Sequence, residues 1–348
     1  MTERPGGTRT RFSTDGLPGH RGWEAWRNML TPLFDIQSSG EPDAFHAELD
    51  GFDLGSLFVA KIGFGGVRQR GFRSKPLINR SGLDHYGVEL CVKTDGYVCE
   101  SGNGAIEVDV GDIVVLDLSQ ANVMTSTNST SLTLTVPRAI LDRHCPGVEN
   151  LHGTRLSGTG RCGLLGDHLL SLYRRLPHLN PAEAEATADA TIRLLGACLA
   201  PSAERFHRAG TVIDRTLLAR ATRYIDDRLD DPHLTPAAVC AELGLSRTNL
   251  YRLFQGTGGV SRCIQERRLL RAHAAGRDPA RRRSISEVAY ACGFGSAAHF
   301  SRAFRKRFDC APSDVRDLAK EPAPRPASAD AFAGAWLNRT RGRTGLPD

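Results

Sequence analysis

Hydrophobic and polar positions alternate at a period of two through much of the chain from about residue 30 to residue 140. In HYGVELCVK (85–93) Tyr86, Val88, Leu90 and Val92 share one face, and in SLTLTV (131–136) Leu132, Leu134 and Val136 do. IVVLDL (113–118) is a nearly continuous apolar run. Such alternation marks half-buried strands. Turn signals stand between them: Asp95-Gly96, Gly102-Asn103-Gly104 and Gly111-Asp112. Short strands and tight turns in close succession predict an all-β barrel or sandwich over 31–145. The first 20 residues are rich in Gly, Arg and Thr, and 1–30 is expected to be disordered.

The period changes near residue 162. Leu164, Leu165, His168, Leu169, Leu172, Tyr173 and Leu176 recur at helical spacing. A second helix follows in LNPAEAEATADATIRLLGACLA, where Asn180 can cap, Pro181 fits the first helical position and Glu183 sits where a capping-box acid belongs. These two helices predict a hairpin within 146–205. APSAERFHRAG (200–210) then reads as a linker. Ile213, Leu217, Leu218, Ala221, Ile225 and Leu229 line one face of a further helix, which DDPHLT ends. The Pro- and Ala-rich stretch from 321 to 348 is expected to be disordered.

Between 211 and 318 the chain repeats a motif. LTPAAVCAELGLSRTNLYRLF (234–254) and SISEVAYACGFGSAAHFSRAF (284–304) each place a glycine, Gly244 or Gly293, at the end of a short helix. A hydrophobe follows (Leu245, Phe294), then a serine able to cap the next helix (Ser246, Ser296). That helix carries apolar anchors at i, i+3 and i+4: Leu250, Leu253, Phe254 in one copy and Phe300, Ala303, Phe304 in the other. Short helix, glycine corner and second helix form the helix-turn-helix plan, whose second helix enters the DNA major groove. The two copies are expected at about 235–255 and 285–307. In the later copy the phenylalanines take the core strip, which leaves Arg302, Arg305, Lys306 and Arg307 for base edges and phosphates. Arg283, in the loop before that copy, is a candidate phosphate contact.

Charge sharpens this division. The net charge is +6 over 348 residues. Residues 1–210 sum to about −3, residues 211–320 to about +8 and the remainder to about +1. A basic module behind an acidic one points to a polyanion partner for the second part. The nine cysteines are scattered and contain no CxxC, so buried thiols are expected rather than a disulfide framework or a zinc ribbon. No HxH occurs and His46, His85, His144 and His152 stand singly, so no metal and no cofactor is expected. No apolar run follows MTERPGGTRTRF, and no stretch reaches the roughly 20 apolar residues that cross a membrane. A cytoplasmic protein with no membrane partner is the expectation.

ELGLSRTNLYRLF, ERRLLRA, SISEVAYACGFGSAAHFSRAFRKRF and the closing PSDVR resemble the DNA-binding domain of the AraC/XylS family of bacterial transcription regulators. The resemblance implies a seven-helix domain with two recognition helices, about 247–255 and 297–307, set in successive major grooves of double-stranded promoter DNA. By resemblance the base-facing positions are Arg247, Thr248, Tyr251 and Arg252 in the first helix, and Ala297, Ala298, His299, Ser301 and Arg302 in the second. Three positions depart from the family pattern: Asp309 stands where glycine is usual, Cys263 where an aromatic is common and Gly276 where leucine is. IEVDVGDIVVLDLSQ (106–120) and LTLTVPRAILD (132–142) resemble the family's cupin-like effector domain.

The architecture implied is multidomain: an N-terminal all-β cupin-like barrel with a helical hairpin, and a C-terminal all-α double helix-turn-helix domain. The function implied is a ligand-responsive activator that contacts RNA polymerase and takes an unidentified small-molecule effector, with the hairpin relaying or forming a homodimer. Arg68, Arg70, Arg73 and Lys75 are either a solvated loop or the means of drawing in an anionic effector. Two alternatives stand beside this. One is a DNA-binding regulator that takes no ligand. The other is a repair-type enzyme with a similar DNA-binding module, which needs an activated cysteine beside a base or metal; no cysteine has a Pro-Cys-His setting.

Overall fold

The computed structural model describes residues 8–206, 212–255, 258–276 and 283–318. The expected disorder of 321–348 and of the first seven residues lies outside these. Among the described residues no helix is long and apolar enough to cross a membrane. The chain divides into two compact units. The first is built on 8–144 and 151–199, the second on 145–150 and the described residues from 200 to 318.

The first unit holds twelve strands: β1 (Thr8–Ser13), β2 (Asp35–Ser39), β3 (His46–Asp53), β4 (Phe58–Gly65), β5 (Arg68–Arg73), β6 (His85–Lys93), β7 (Tyr97–Ser101), β8 (Gly104–Glu107), β9 (Ile113–Asp117), β10 (Asn122–Thr127), β11 (Thr130–Pro137) and β12 (Thr154–Leu156). One sheet runs β1-β3-β4-β11-β6-β9-β12 and the other β2-β5-β10-β7-β8. Every pairing is antiparallel, for example Leu134 opposite Val88 and Thr125 opposite Val98. The sheets face each other in the cupin-like arrangement. The helices here are α1 (Gly19–Leu30), α2 (Lys75–Ser81), α3 (Arg138–His144), α4 (Gly160–Arg175) and α5 (Pro181–Phe206).

Residues 8–30 correct the expected disorder. β1 pairs with β3 from Thr8 opposite Asp53 to Ser13 opposite Glu48. α1 buries Trp23, Trp26, Met29 and Leu30, with Trp23 edge-on to Phe45 at 5.1 Å. Two tryptophans and two aliphatics at helical spacing bury enough apolar area to order a segment whose start is Gly- and Arg-rich. A second correction concerns the linker, since α5 continues to Phe206.

The hairpin forms as its sequence requires. Asn180 and Glu183 exchange two 2.9 Å hydrogen bonds in a capping box at the start of α5. Leu165, Leu169, Leu172 and Leu176 are buried, but Leu164 turns outward and is 65% exposed. Gly166 of α4 sits against the Leu90 methyls, and Tyr173 donates to Asp50 and stacks edge-on with Phe52. The Leu90, Val88 and Tyr86 face of β6 thus packs outward beneath helices. Its other face lines the space between the sheets. The sequence pattern indicates strands buried on one face; the structure buries both.

Residue 138 closes one end. The Arg138 guanidinium, 7% exposed, contacts Asp117, Asp84, Ser119 and the Tyr86 hydroxyl, which donates to Asp142 at 2.8 Å. Burial opposes the Asp117 charge, but Arg138, Gln120 and Ser119 outweigh it and hold its pKa at about 2.

The second unit is helical: α6 (Val212–Asp226), α7 (Pro236–Leu243), α8 (Arg247–Leu253), α9 (Val260–Gly276), α10 (Ile285–Ala291), α11 (Ala297–Phe308) and α12 (Pro312–Leu318). It has two small cores. Ala221, Ile225, Val239, Leu250 and Phe254 form one, and Ala289, Phe294, Phe300, Phe304 and Phe308 the other. α9 belongs to both, giving Val260, Cys263 and Ile264 to the first and Leu269 and Ala272 to the second. Arg267 of α9 pairs with Asp226 at 2.7 Å, and Arg268 donates to the Leu229 and Asp231 carbonyls at 3.1 and 2.6 Å. These two arginines of the connecting helix serve the frame of the unit.

Candidate nucleic-acid interface and internal cavity

Each corner of the second unit is made by local chemistry. Thr235 caps α7 by accepting from the Ala238 N–H at 3.2 Å, and Pro236 occupies its first turn. Gly244 ends it with φ +64°, and the Leu245 N–H bonds the Cys240 carbonyl at 3.0 Å. Ser246 then caps α8 by accepting from Asn249 at 3.2 Å. In the later copy Ser284 and Glu287 complete a capping box on α10. Gly293 turns the chain with φ +74°, and Ser296 caps α11 by accepting from His299 at 3.3 Å.

With Leu250 and Leu253 buried, α8 presents Arg247, Thr248, Tyr251 and Arg252 together on its exposed side. α11 buries Phe300, Phe304 and Phe308 and exposes Ala298, His299, Arg302, Arg305 and Lys306. Ala297 and Ser301 lie half-buried at the margin, and Ala297 touches the second core. Arg283 is also half-buried, beside Phe300 and Phe304.

Arg307 departs from the sequence expectation. It turns sideways to pair with Glu266 of α9 and lies 5.1 Å from the Phe308 ring centroid, so its charge is spent inside the unit. Two of the three departures from the family pattern keep the backbone or packing role of their position, and the third leaves a gap. Asp309 adopts φ +56° and its N–H bonds Arg305 at 2.8 Å, as a glycine cap would. Cys263 is buried in the first core. Gly276 borders a void of about 20 Å³ beside Val315 and Ala272.

The first unit contains a cavity of about 100 Å³ between its sheets. Trp26, Phe34, Phe64 and Leu116 give it an apolar wall. Glu89 of β6, Tyr97 of β7, and Ser131, Thr133 and Thr135 of β11 give it a polar one. No Lys, Arg or His is among its lining residues. The alternation that marks Leu132, Leu134 and Val136 as core in the sequence also places Ser131, Thr133 and Thr135 on the opposite face; sequence reasoning did not identify that face as an internal wall. Arg68, Arg70 and Arg73 belong to strand β5. Arg68 and Arg70 are exposed, and Lys75, at the start of α2, is exposed too. Arg73 is 1% exposed, and its guanidinium donates to the Leu118 and Leu33 carbonyls at 2.7 and 2.6 Å. None of the four lines the cavity.

Among the described residues no group of three or more His, Cys, Asp or Glu is placed to hold a metal ion. Burial pushes the Cys91 and Cys99 thiols up to about 12, and Cys263, Cys292 and Cys310 up to about 11.

Two family models match. The AraC-binding-like domain covers residues 24–200 and a helix-turn-helix domain covers 239–317. The transcriptional activator NphR of Rhodococcus sp. is 28% identical over 312 residues, which span 84% of this chain and 88% of that one. The transcriptional activator RhaS of Salmonella arizonae is 36% identical over 81 residues, 23% of this chain and 28% of its own. The crystal structure of the AraC-like transcriptional activator CuxR superposes with a TM-score of 0.54 at 27% identity, covering 76% of this chain and 95% of that one.

Proposed function

The chain belongs to the AraC family of transcription regulators, and on that premise we propose that it activates transcription when a small molecule occupies its N-terminal unit. The observation that carries the DNA side is the pairing of two serine-capped helices on one shared helix. α8 and α11 each bury an apolar strip and expose a polar, basic one. In this reading they enter successive major grooves. Arg247, Thr248, Tyr251 and Arg252 face bases from α8, and Ala297, Ala298, His299, Ser301 and Arg302 face them from α11. Arg283, Arg305 and Lys306 meet phosphates. Ala298 can touch a thymine methyl but makes no hydrogen bond to a base, so α8 carries most of the sequence discrimination.

The cavity of about 100 Å³ between the sheets is the effector site in this reading. The effector acts through differential affinity for two arrangements of the chain, since equal affinity would shift nothing. RNA polymerase is the partner on the promoter, and the protein works in the cytoplasm. A homodimer would form through the outer side of α4, where Leu164 and Leu170 are 65% and 38% exposed. The repair-enzyme alternative gains no support from Cys91, Cys99, Cys263, Cys292 or Cys310, whose thiols burial raises, because a nucleophilic cysteine needs a lowered pKa. In this reading the effector domain runs from β1 through β12 rather than over 31–145, the hairpin is α4 and α5, and the DNA-binding domain lies within 211–318.

The test is a footprint of the purified protein on DNA upstream of its own gene and its neighbours, at two salt concentrations. A protected site spanning two successive major grooves that survives the higher salt is the expected result. Diffuse protection that collapses steeply with salt contradicts sequence-specific regulation.

A further inference from the structure

The first unit buries carboxyls in two different settings. Asp117 and Asp84 both lie against the Arg138 guanidinium, so their charges have a protein partner. Glu89 has hydroxyl neighbours, Ser131 and Tyr97, but no cation in the cavity that it lines. Glu89 keeps some accessible surface, and the cavity is where that surface lies, for the residue is otherwise enclosed by protein. Burial raises its pKa to about 7 against the lowering by Ser131 and Tyr97. Tyr97 is 4% exposed, and its hydroxyl, though beside Glu89, closes no well-formed hydrogen bond. A buried carboxyl therefore lines the cavity with bonding capacity left over, and an enclosed phenol hydroxyl without a close partner lies beside it. A buried carboxyl without a cation stays neutral by keeping its proton, and it ionises readily once a cation enters beside it.

We propose that the cavity takes a compact organic cation, a protonated primary amine on a small apolar skeleton, with its ammonium on Glu89 and its skeleton against Trp26, Phe34 and Phe64. This rests on the reading of the cavity as the effector site and names the chemical class of the effector. An ammonium offers three donors, which Glu89 and the hydroxyls of Ser131 and Thr133 can accept. The apolar wall takes the carbon skeleton. The same wall rejects carboxylates and phosphates, since an anion would stand beside Glu89 with no cation lining the cavity. Size follows from volume. A dry cavity of roughly 150 Å³ holds benzene, so about 100 Å³ suits a skeleton of four or five heavy atoms. The other titratable groups facing Glu89 are Tyr97, Cys91 and Cys99, and all three are held protonated by burial. Glu89 is then the group that ionises as the amine enters, so affinity for the amine strengthens as pH rises from 6 to 8.

The experiment is calorimetric titration of the full-length protein with three near-isosteric probes: isobutylamine, isobutanol and isobutyrate. The expected result is that the amine binds about tenfold or more tighter than the alcohol, and that isobutyrate does not bind. Glu89→Gln, checked for an unchanged melting profile, should reduce the preference for the amine to within about threefold. Tighter binding of the alcohol or the carboxylate overturns the assignment. So does an amine preference that survives in a folded Glu89→Gln protein, and so does the absence of binding by all three. None of these outcomes bears on the footprint, so the regulatory reading stands or falls separately.

Discussion

Gly244 and Gly293 occupy the same position in two copies of one motif and share a left-handed backbone, with φ of +64° and +74°. Their surroundings differ. A Cβ at Gly244 would meet nothing within 4 Å, whereas at Gly293 it would stand 2.4 Å from the Leu229 carbonyl oxygen and 2.8 Å from the Arg268 guanidinium. Arg268 is itself bonded to Leu229 and Asp231, so the second corner is built into the loop that follows α6. The readout helices differ in parallel. α8 exposes two arginines, a threonine and a tyrosine, while the start of α11 offers alanines and the triple-phenylalanine face anchors it. One copy is free to present chemistry, and the other is fastened to the frame. The division of labour proposed for DNA, reading by the first and gripping by the second, follows from that contrast.

The largest expected effect separates the two corners. Gly293→Ala should destabilise the protein by about 3 kcal/mol or more, because backbone strain adds to a clash with a carbonyl that cannot swing away. Gly244→Ala should cost about 1–2 kcal/mol from strain alone. Urea unfolding of both variants decides this, and equal costs would break the comparison. Next comes Arg252→Ala. It should reduce discrimination between the selected site and single-base variants under α8 by about 1–3 kcal/mol, while affinity for unrelated DNA falls little. Competition binding with base-substituted duplexes reads it, and a uniform loss on all DNA would make Arg252 a phosphate contact. Lys306→Ala should do the reverse, weakening binding on every sequence and lowering the salt slope by about 0.9. The smallest effect is expected at Gly276→Ala, where the nearest atom to a new Cβ is a Val315 methyl at 3.9 Å. A gain of about 0.5 kcal/mol in unfolding stability is expected from helix propensity and the small void.

The second unit was legible in the sequence because its signals are local. A glycine, a plug and a capping serine fall within four residues at Gly244–Leu245–Ser246, and Gly293–Phe294 leads to Ser296 in the same way. The capping box of Asn180 and Glu183 was legible for the same reason. The course of Arg307 was not, since its distance along α11 from Arg305 turns it toward Glu266, and only packing shows that. In the first unit the Leu132-Leu134-Val136 pattern identified strands but not what the other face meets. Ser131, Thr133, Thr135 and Glu89 look like solvent positions along a strand, and the pairing of two sheets encloses them instead. Trp23 and Trp26, with Met29 and Leu30, carried a signal for α1 that the Gly-rich beginning of the chain obscured.

The measurement that tests the central claim most directly is selection of bound sites from a pool of random duplexes by the full-length protein. Unequal reading predicts two half-sites about 10 base pairs apart, one strongly specified and the other nearly free in sequence. In that result Arg252→Ala relaxes the specified half alone. Two half-sites specified to the same degree, or a single half-site with no partner, would contradict it.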